Sequence, residues 1–332
     1  MPETHTTDVL IAGQGAAAFA AALYTARYQI HGMVVGDRFG GETAIGGGIE
    51  NYPGYPDIDG FDLMLKFREQ VDKYDVPVID AAVTAVENAG NHFMATLSDG
   101  SAVHAGAVIF AIGRERRKLN LANEEAWTGR GVSYCSTCDA PLYRGKTAAV
   151  IGGGSAAVEG AILLGKYADQ VYLIYRGGGF TRPEPVMVDL LNKSKNVHVL
   201  FETEVAELLG DDTAGLTGIR LNRPYEGKDE MTLDGIFIEI GADPRVAIPQ
   251  SLGVKLNPET NEIHVDRNMN TNVPGIFGAG DITDGSGTLK QTITAAAQGV
   301  VSALAAYQFI SEQGRACCVH EAGYDLRASA AD

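Results

Sequence analysis

The stretch DVLIAGQGAAAFAAALYTARYQIHGMVVG, residues 8–36, decides the architecture. Asp8 to Ala12 is an apolar run suited to a buried strand, Ala16 to about Tyr28 has the small-residue composition of a packed helix, and Gly32 to Gly36 reads as a second strand. Between the first strand and the helix, Gly13, Gly15 and Ala18 fit G-x-G-x-x-A. Gly13 makes the tight turn, Gly15 lets a diphosphate reach the backbone, and Ala18 lets helix and strand pack closely. The helix N-terminus then offers N–H groups and the positive end of its dipole to an anion. The stretch predicts a βαβ unit with a phosphate seat at its turn.

The same device recurs in KTAAVIGGGSAAVEGAILLGKYADQVYLIYR, residues 146–176, where Gly152, Gly154 and Ala157 lie between strand and helix and a second strand follows from about Gln170 to Arg176. One such motif also fits an ordinary helix start rich in small residues. Two copies, each in strand–turn–helix context, make coincidence a poor explanation. The fold class expected is α/β, with two dinucleotide-binding, Rossmann-like, three-layer domains. A third signal, NVPGIFGAGDITD at residues 272–284, is an apolar strand ending in Gly278, Gly280 and Asp281 ahead of an apolar helix from about Lys290 to Ser311.

Size agrees with two domains, because 332 residues exceed the roughly 250–300 at which single cores stop growing. The net charge of −16, with no basic run longer than Arg116-Arg117-Lys118, excludes nucleic acid and anionic membrane as expected partners. Val9 to Leu23 is apolar enough to mimic a signal peptide, yet no Lys or Arg precedes it and the glycine motif runs through it. It reads as folded structure in a cytoplasmic protein, and no stretch has the roughly 18 consecutive apolar residues of a membrane helix.

The four cysteines, Cys135, Cys138, Cys317 and Cys318, are too few for a disulfide scaffold. Cys135 and Cys138 sit in YCSTCD, residues 134–139, and three readings compete for them. Structural zinc wants four ligands, and no second C-x-x-C exists. A static staple across two residues closes too small a loop to stabilise much. Cycling between dithiol and disulfide is what the spacing favours. No metal is expected.

Taken in order, the first glycine turn, GGE (Gly40 to Glu42), ENYPG (Glu50 to Gly54), FAIGRE, CSTCD, GGGSAAVE, GIFIEIG, FGAGDI and KQTITAA give a chain that resembles a low-molecular-weight, bacterial-type thioredoxin reductase over nearly its whole length. The resemblance implies an FAD-binding domain from residues 1–115 and 244–332, with an NAD(P)H-binding-like domain, 116–243, inserted and carrying the cysteines. Residue by residue it assigns Gly13, Gly15, Ala18, Gly40, Gly41, Glu42, Asn51, Gly280, Asp281, Lys290, Gln291 and Thr292 to FAD. Gly152, Gly154, Ser155 and Arg176 fall to the second dinucleotide. It further implies that Cys138 takes electrons from the flavin, Cys135 attacks the disulfide of thioredoxin or a thioredoxin-like protein, and Asp139 moves the proton. A homodimer, and domain rotation about junctions near Arg116 and Asp243, also follow from it.

The chain departs from that family where H-R-R-x-x-x-R is usual: here stand Tyr175, Arg176, Gly177, Gly178, Gly179, Phe180, Thr181 and Arg182, and only Arg176 keeps its place. Each missing charge-assisted contact to a 2′-phosphate loses roughly 1.5–3 kcal/mol. NADPH or NADH remain donors to consider, with reduced ferredoxin or a reduced deazaflavin as alternatives. Glu239 replaces a usual small residue and either places an acid near the reductant site or, as the favoured reading, faces outward from its strand. Glu42 stands where glutamine is usual. In the tail, Cys317, Cys318 and His320 suggest a second thiol shuttle, a metal-handling or regulatory site, or a silent extension, and Tyr324 a cover for a flavin face. Competing functions are a reductase serving a peroxidase or small disulfide, and a flavin redox sensor without turnover.

Overall fold

The computed structural model describes residues 3–45, 48–49 and 51–312. The tail positions Cys317, Cys318, His320 and Tyr324 lie outside the described residues. Two compact units emerge, Met1–Arg114 with Pro244–Asp332, and Glu115–Asp243 inserted between them.

In the first unit the strand Thr4–Ala12 runs parallel to Gly32–Val35 on one side and Ala102–Phe110 on the other, with Val9 level with Gly32 and Ala107. Val9 to Ala12 are wholly buried, as a parallel strand covered on both faces must be. Val78–Ile79 extends one edge, and Ile276–Gly278 pairs parallel with Ala102–Phe110. The antiparallel hairpin Val83–Asn88 and Phe93–Leu97 completes the sheet. The helix Ala16–Arg27 covers one face together with the long helix Thr292–Glu312. Val246, Val254, Ile263 and Met269 cover the other.

The two helices owe their contact to small residues. A Cβ on Gly299 would overlap the carbonyl of Ala17, so the backbones meet with no side chain between them. Ala303 and Ala306 continue the buried seam. By length and composition alone Thr292–Glu312, 21 residues with an 18-residue window at a mean hydropathy of 1.4, would pass for a membrane span, although Gln298, Ser302 and Gln308 interrupt its apolar run. Its composition has another cause here, because a helix lodged against another Ala-rich helix and a sheet needs small apolar residues on more than one face.

The second unit is built on five parallel strands in the order Val132–Ser133, Gly235–Ile238, Thr147–Ile151, Gln170–Ile174, Val197–Leu200. Helices Ser155–Leu164 and Pro185–Lys193 accompany it, and Val205–Asp211, Gly215–Tyr225 and Lys228–Thr232 form a separate antiparallel sheet. Both units are thus of the Rossmann-like class, the second inserted in the first.

Gly299→Ala tests the helix seam. Helix propensity alone would favour alanine by up to about 1 kcal/mol, whereas overpacking costs roughly 1–3 kcal/mol, and the obstructing atoms are backbone. The expected result is net destabilisation, seen as a lower thermal midpoint; a raised midpoint would show that the helices are not in contact there.

Candidate active site

The first seat is assembled from distant pieces of the first unit. Gly13 turns with φ +120°, and a Cβ there would overlap the Ala111 carbonyl. Gly15 caps Ala16–Arg27, and the space where its side chain would stand is open. Ala18 is wholly buried beneath the turn. Gly40 and Gly41 both have positive φ, and a Cβ on Gly41 would lie 3.4 Å from the Gly15 α-carbon. Glu42 follows in the short helix Gly41–Ile45.

Hydrogen bonds then tie this corner to the start of the long helix. The hydroxyls of Thr43 and Thr292 are 3.0 Å apart, and Asn51 Nδ2 donates to Gln291 Oε1 at 2.9 Å. Gly280, at φ +78°, packs on Ala17, and its N–H donates to Gln298 Oε1 at 2.7 Å. That same oxygen accepts from Thr283 Oγ1 at 3.0 Å, so Gln298 holds the turn that presents Asp281. No hydrogen bond from another described residue reaches the Asp281 carboxylate. Burial raises its pKa above the ordinary value, opposed by Lys290 and Arg114 and assisted by Glu42 and Glu262. Lys290 Nζ sits 3.0 Å from the buried Glu262 and donates to the Thr283 carbonyl.

An open glycine turn at a helix N-terminus and an unpartnered carboxylate on one cradle suit a diphosphate and a polyol, the two polar parts of FAD. The residues present therefore fit that cofactor. Three participants escape a reading of the sequence. Gln298 is detectable only as a polar interruption in an apolar helix, and Thr43 by nothing local. Asp37, exposed just past Gly32–Val35, occupies the place where an acid can reach a ribose hydroxyl, about 20 residues after the glycine turn.

The second seat repeats the first at the edge of the inserted sheet. Gly152 has φ +147°, and a Cβ there would overlap the Glu239 carbonyl. Gly154 caps Ser155–Leu164 with open space above it, and Ala157 is wholly buried. Beyond the turn the local structure explains the altered sequence. The Tyr175 ring lies where a side chain on Gly153 would be, and a Cβ on Gly177 would come 2.6 Å from the same ring. With the Tyr175 ring in this place, a side chain at position 177 would require the ring to move. Arg176 and Arg182 are exposed, and neither forms an ion pair with another described residue.

The cysteine motif lies in the same unit. Ser136–Asp139 forms one helical turn, closed by Asp139 N–H donating to the Cys135 carbonyl at 3.2 Å. Cys135 is disulfide-bonded. The side chain of Cys138 lies outside the described residues. Asp139 is partly buried and leads into the 3-10 turn Ala140–Tyr143. Among the described residues, no group of three or more His, Cys, Asp or Glu is placed to hold a metal.

Glu239 overturns its expected outward position. It stands just past the end of Gly235–Ile238, its N–H still bonded to the Ile151 carbonyl, and its side chain is buried. Glu239 Oε1 accepts from Ser136 Oγ at 2.9 Å and from Ser136 N–H at 3.2 Å, while Oε2 lies 3.3 Å from Arg116. Polar partners inside the unit hold it there. Burial raises its pKa; Arg116 and the Ser136 donors favour the anion.

Two substitutions test the first seat. Gln298→Leu leaves the buried Gly280 N–H without its acceptor, a cost of about 1–3 kcal/mol. A lower flavin-to-protein absorbance ratio after gel filtration is expected, and an unchanged ratio would count against Gln298 as the support of Asp281. For Asp281 the sign follows from its raised pKa: the folded flavin-free protein keeps this proton to higher pH than the unfolded chain, so stability falls as pH rises through the folded pKa. Flavin-free Asp281→Asn lacks that loss. Its stability relative to the parent should grow as pH rises above the ordinary carboxylate range in urea unfolding.

Comparison with known proteins agrees with this construction. The family described as pyridine nucleotide-disulphide oxidoreductase matches residues 7–299. The chain is 36% identical over 313 residues to the thioredoxin reductase of Streptomyces coelicolor, covering 92% of this chain and 94% of that protein. It superposes on the crystal structure of Lactococcus lactis thioredoxin reductase with a TM-score of 0.85 at 32% identity, covering 92% of this chain and 99% of that one. It is also 37% identical over 305 residues to the F component of Staphylococcus aureus alkyl hydroperoxide reductase, covering 91% of this chain, and it spans 59% of that relative's length. The chain belongs to the pyridine nucleotide-disulphide oxidoreductases and, within them, to the family of low-molecular-weight, bacterial-type thioredoxin reductases.

Proposed function

We propose that the protein passes two electrons from a soluble donor through FAD and the Cys135/Cys138 disulfide to thioredoxin or a thioredoxin-like protein. The observation that carries this reading is the coexistence of a cradle suited to FAD in one unit with a disulfide-bonded Cys135 in the other. FAD, when bound, supplies the two-electron carrier that side chains lack. In the FAD-binding unit, Gly13, Gly15 and the helix end behind them hold the diphosphate. Asp281 accepts a polyol hydroxyl, and Gly40, Gly41, Glu42, Asn51, Lys290, Gln291 and Thr292 close the cradle.

At the other end the Cys135 thiolate attacks the substrate disulfide, forming a mixed disulfide and releasing one substrate thiolate. Cys138 then attacks Cys135, reforming the enzyme disulfide and releasing the second. Asp139 moves protons between the attacking and leaving sulfurs. By the same reading the protein is a cytoplasmic homodimer.

The donor is read from the second seat. Gly152, Gly154 and Ser155 keep a diphosphate site, but only Arg176 keeps its place for a 2′-phosphate, with Arg182 displaced by one position. The donor we propose is therefore a pyridine dinucleotide with no preference for that phosphate, NADH serving at least as well as NADPH. Tyr175, lying along Gly153, favours a second reading in which reduced ferredoxin or a reduced deazaflavin delivers the electrons. The likeness to a component of alkyl hydroperoxide reductase favours a peroxidase as an alternative disulfide substrate.

Anaerobic additions of NADH, NADPH, reduced ferredoxin and reduced deazaflavin, each followed by flavin absorbance, separate the donors. Bleaching by NADH is expected; bleaching by neither dinucleotide shifts the assignment to the second reading. Cys135→Ser should retain flavin and lose at least about 100-fold in thioredoxin reduction. Unchanged turnover would end the reading of Cys135 as the attacking sulfur.

A further inference from the structure

The geometry points to Glu239 as a positioning residue for the redox disulfide, one that claims the Ser136 donors at the head of the Ser136–Asp139 turn and so biases Cys135 toward its disulfide form. Three observations meet at this side chain. Glu239 Oε1 takes both the N–H and the hydroxyl of Ser136, the residue directly after Cys135, at 3.2 and 2.9 Å. Ser136 packs closely on the neighbouring helix, where a Cβ on Gly160 would collide with its side chain. Arg116 holds Oε2 at 3.3 Å and fixes the carboxylate from its far side. A buried side chain with three such contacts is held in one place.

The chemical consequence follows from what stabilises a thiolate in a Cys-x-x-Cys turn. The anionic sulfur draws on backbone N–H groups of the turn and on nearby positive charge. Here the first N–H after Cys135 is already committed to a carboxylate, and the charge nearest that N–H is negative. Reduction of the disulfide breaks one S–S bond and takes up two electrons, with two protons, or with one where a sulfur remains thiolate. Whatever disfavours that thiolate favours the disulfide, and makes the dithiol the stronger reductant toward an incoming protein disulfide.

This inference rests on the reading of Cys135 as a redox centre, and the test keeps the two apart. The full-length flavoprotein is equilibrated at neutral pH in buffers of reduced and oxidised dithiothreitol, whose oxidation to the cyclic disulfide supplies the electrons. Free thiols are alkylated, and the Cys135 peptide is quantified by mass spectrometry. Glu239→Gln keeps shape and an acceptor while removing the charge. It should shift the equilibrium toward the dithiol at least threefold, ~14 mV at 29.6 mV per tenfold, with flavin content unchanged. Ser136→Ala, which leaves the carboxylate in place, should shift it less and serves as the second variant. A Glu239→Gln equilibrium within a factor of two of the parent, with or without a lower thermal midpoint, would leave Glu239 as a structural residue only and overturn the proposal. A parent disulfide that stays unreduced at every buffer ratio would remove the redox reading, and the inference with it.

Discussion

In both units the first glycine of the turn is pressed against the carbonyl at the end of a neighbouring strand: Gly13 on Ala111, Gly152 on Glu239. No residue with a Cβ fits at either place, and both φ angles lie where L side chains are strained. The contact forces the chain to turn at the carboxyl edge of the sheet and to begin a helix three residues later. Gly15 and Gly154 then cap those helices over open space. Each anion seat is thus a by-product of one close backbone approach, and each seat lies where parallel sheets present ligands.

What surrounds that contact differs between the units. In the first, Thr43 meets Thr292 and Asn51 meets Gln291 at the start of the long helix, and Gln298 anchors the Asp281 loop. In the second, the residue whose carbonyl walls the glycine turn is Glu239, and its side chain also holds Ser136 beside the disulfide. A single residue therefore serves two neighbouring structures, through its main chain on one side and its carboxylate on the other. Burying that carboxylate is tolerable because Ser136 and Arg116 satisfy it; removal of either partner would leave a desolvated charge.

Tyr175 illustrates how a departure from a motif can be structural before it is functional. The loss of an arginine at position 177 reads in the sequence as a lost phosphate contact. In space, Gly177 is also the residue that makes way for the Tyr175 ring, itself stacked at 6.1 Å on Phe180. The altered loop is a repacked aromatic cluster, and its charge deficit accompanies that repacking.

The two βαβ units, their order and the α/β class were legible in the sequence because each depends on local pattern: a buried strand, a glycine turn and a small-residue helix. The apolar run Ile276–Gly278 was recognisable as a strand for the same reason. Side-chain partnerships across long separations were not legible, since hydrogen bonds such as Asn51 to Gln291 or Ser136 to Glu239 leave no periodic trace. Nor was the inward turn of Glu239, or the packing against Ala16–Arg27 that explains the small-residue composition of Thr292–Glu312. Backbone geometry within a βαβ unit is dictated by neighbours in sequence, so the sequence by itself determined the seats. Which carboxylate lies buried, which polar atoms meet and which ring displaces which cation depend on neighbours in space, and only the tertiary structure decided them.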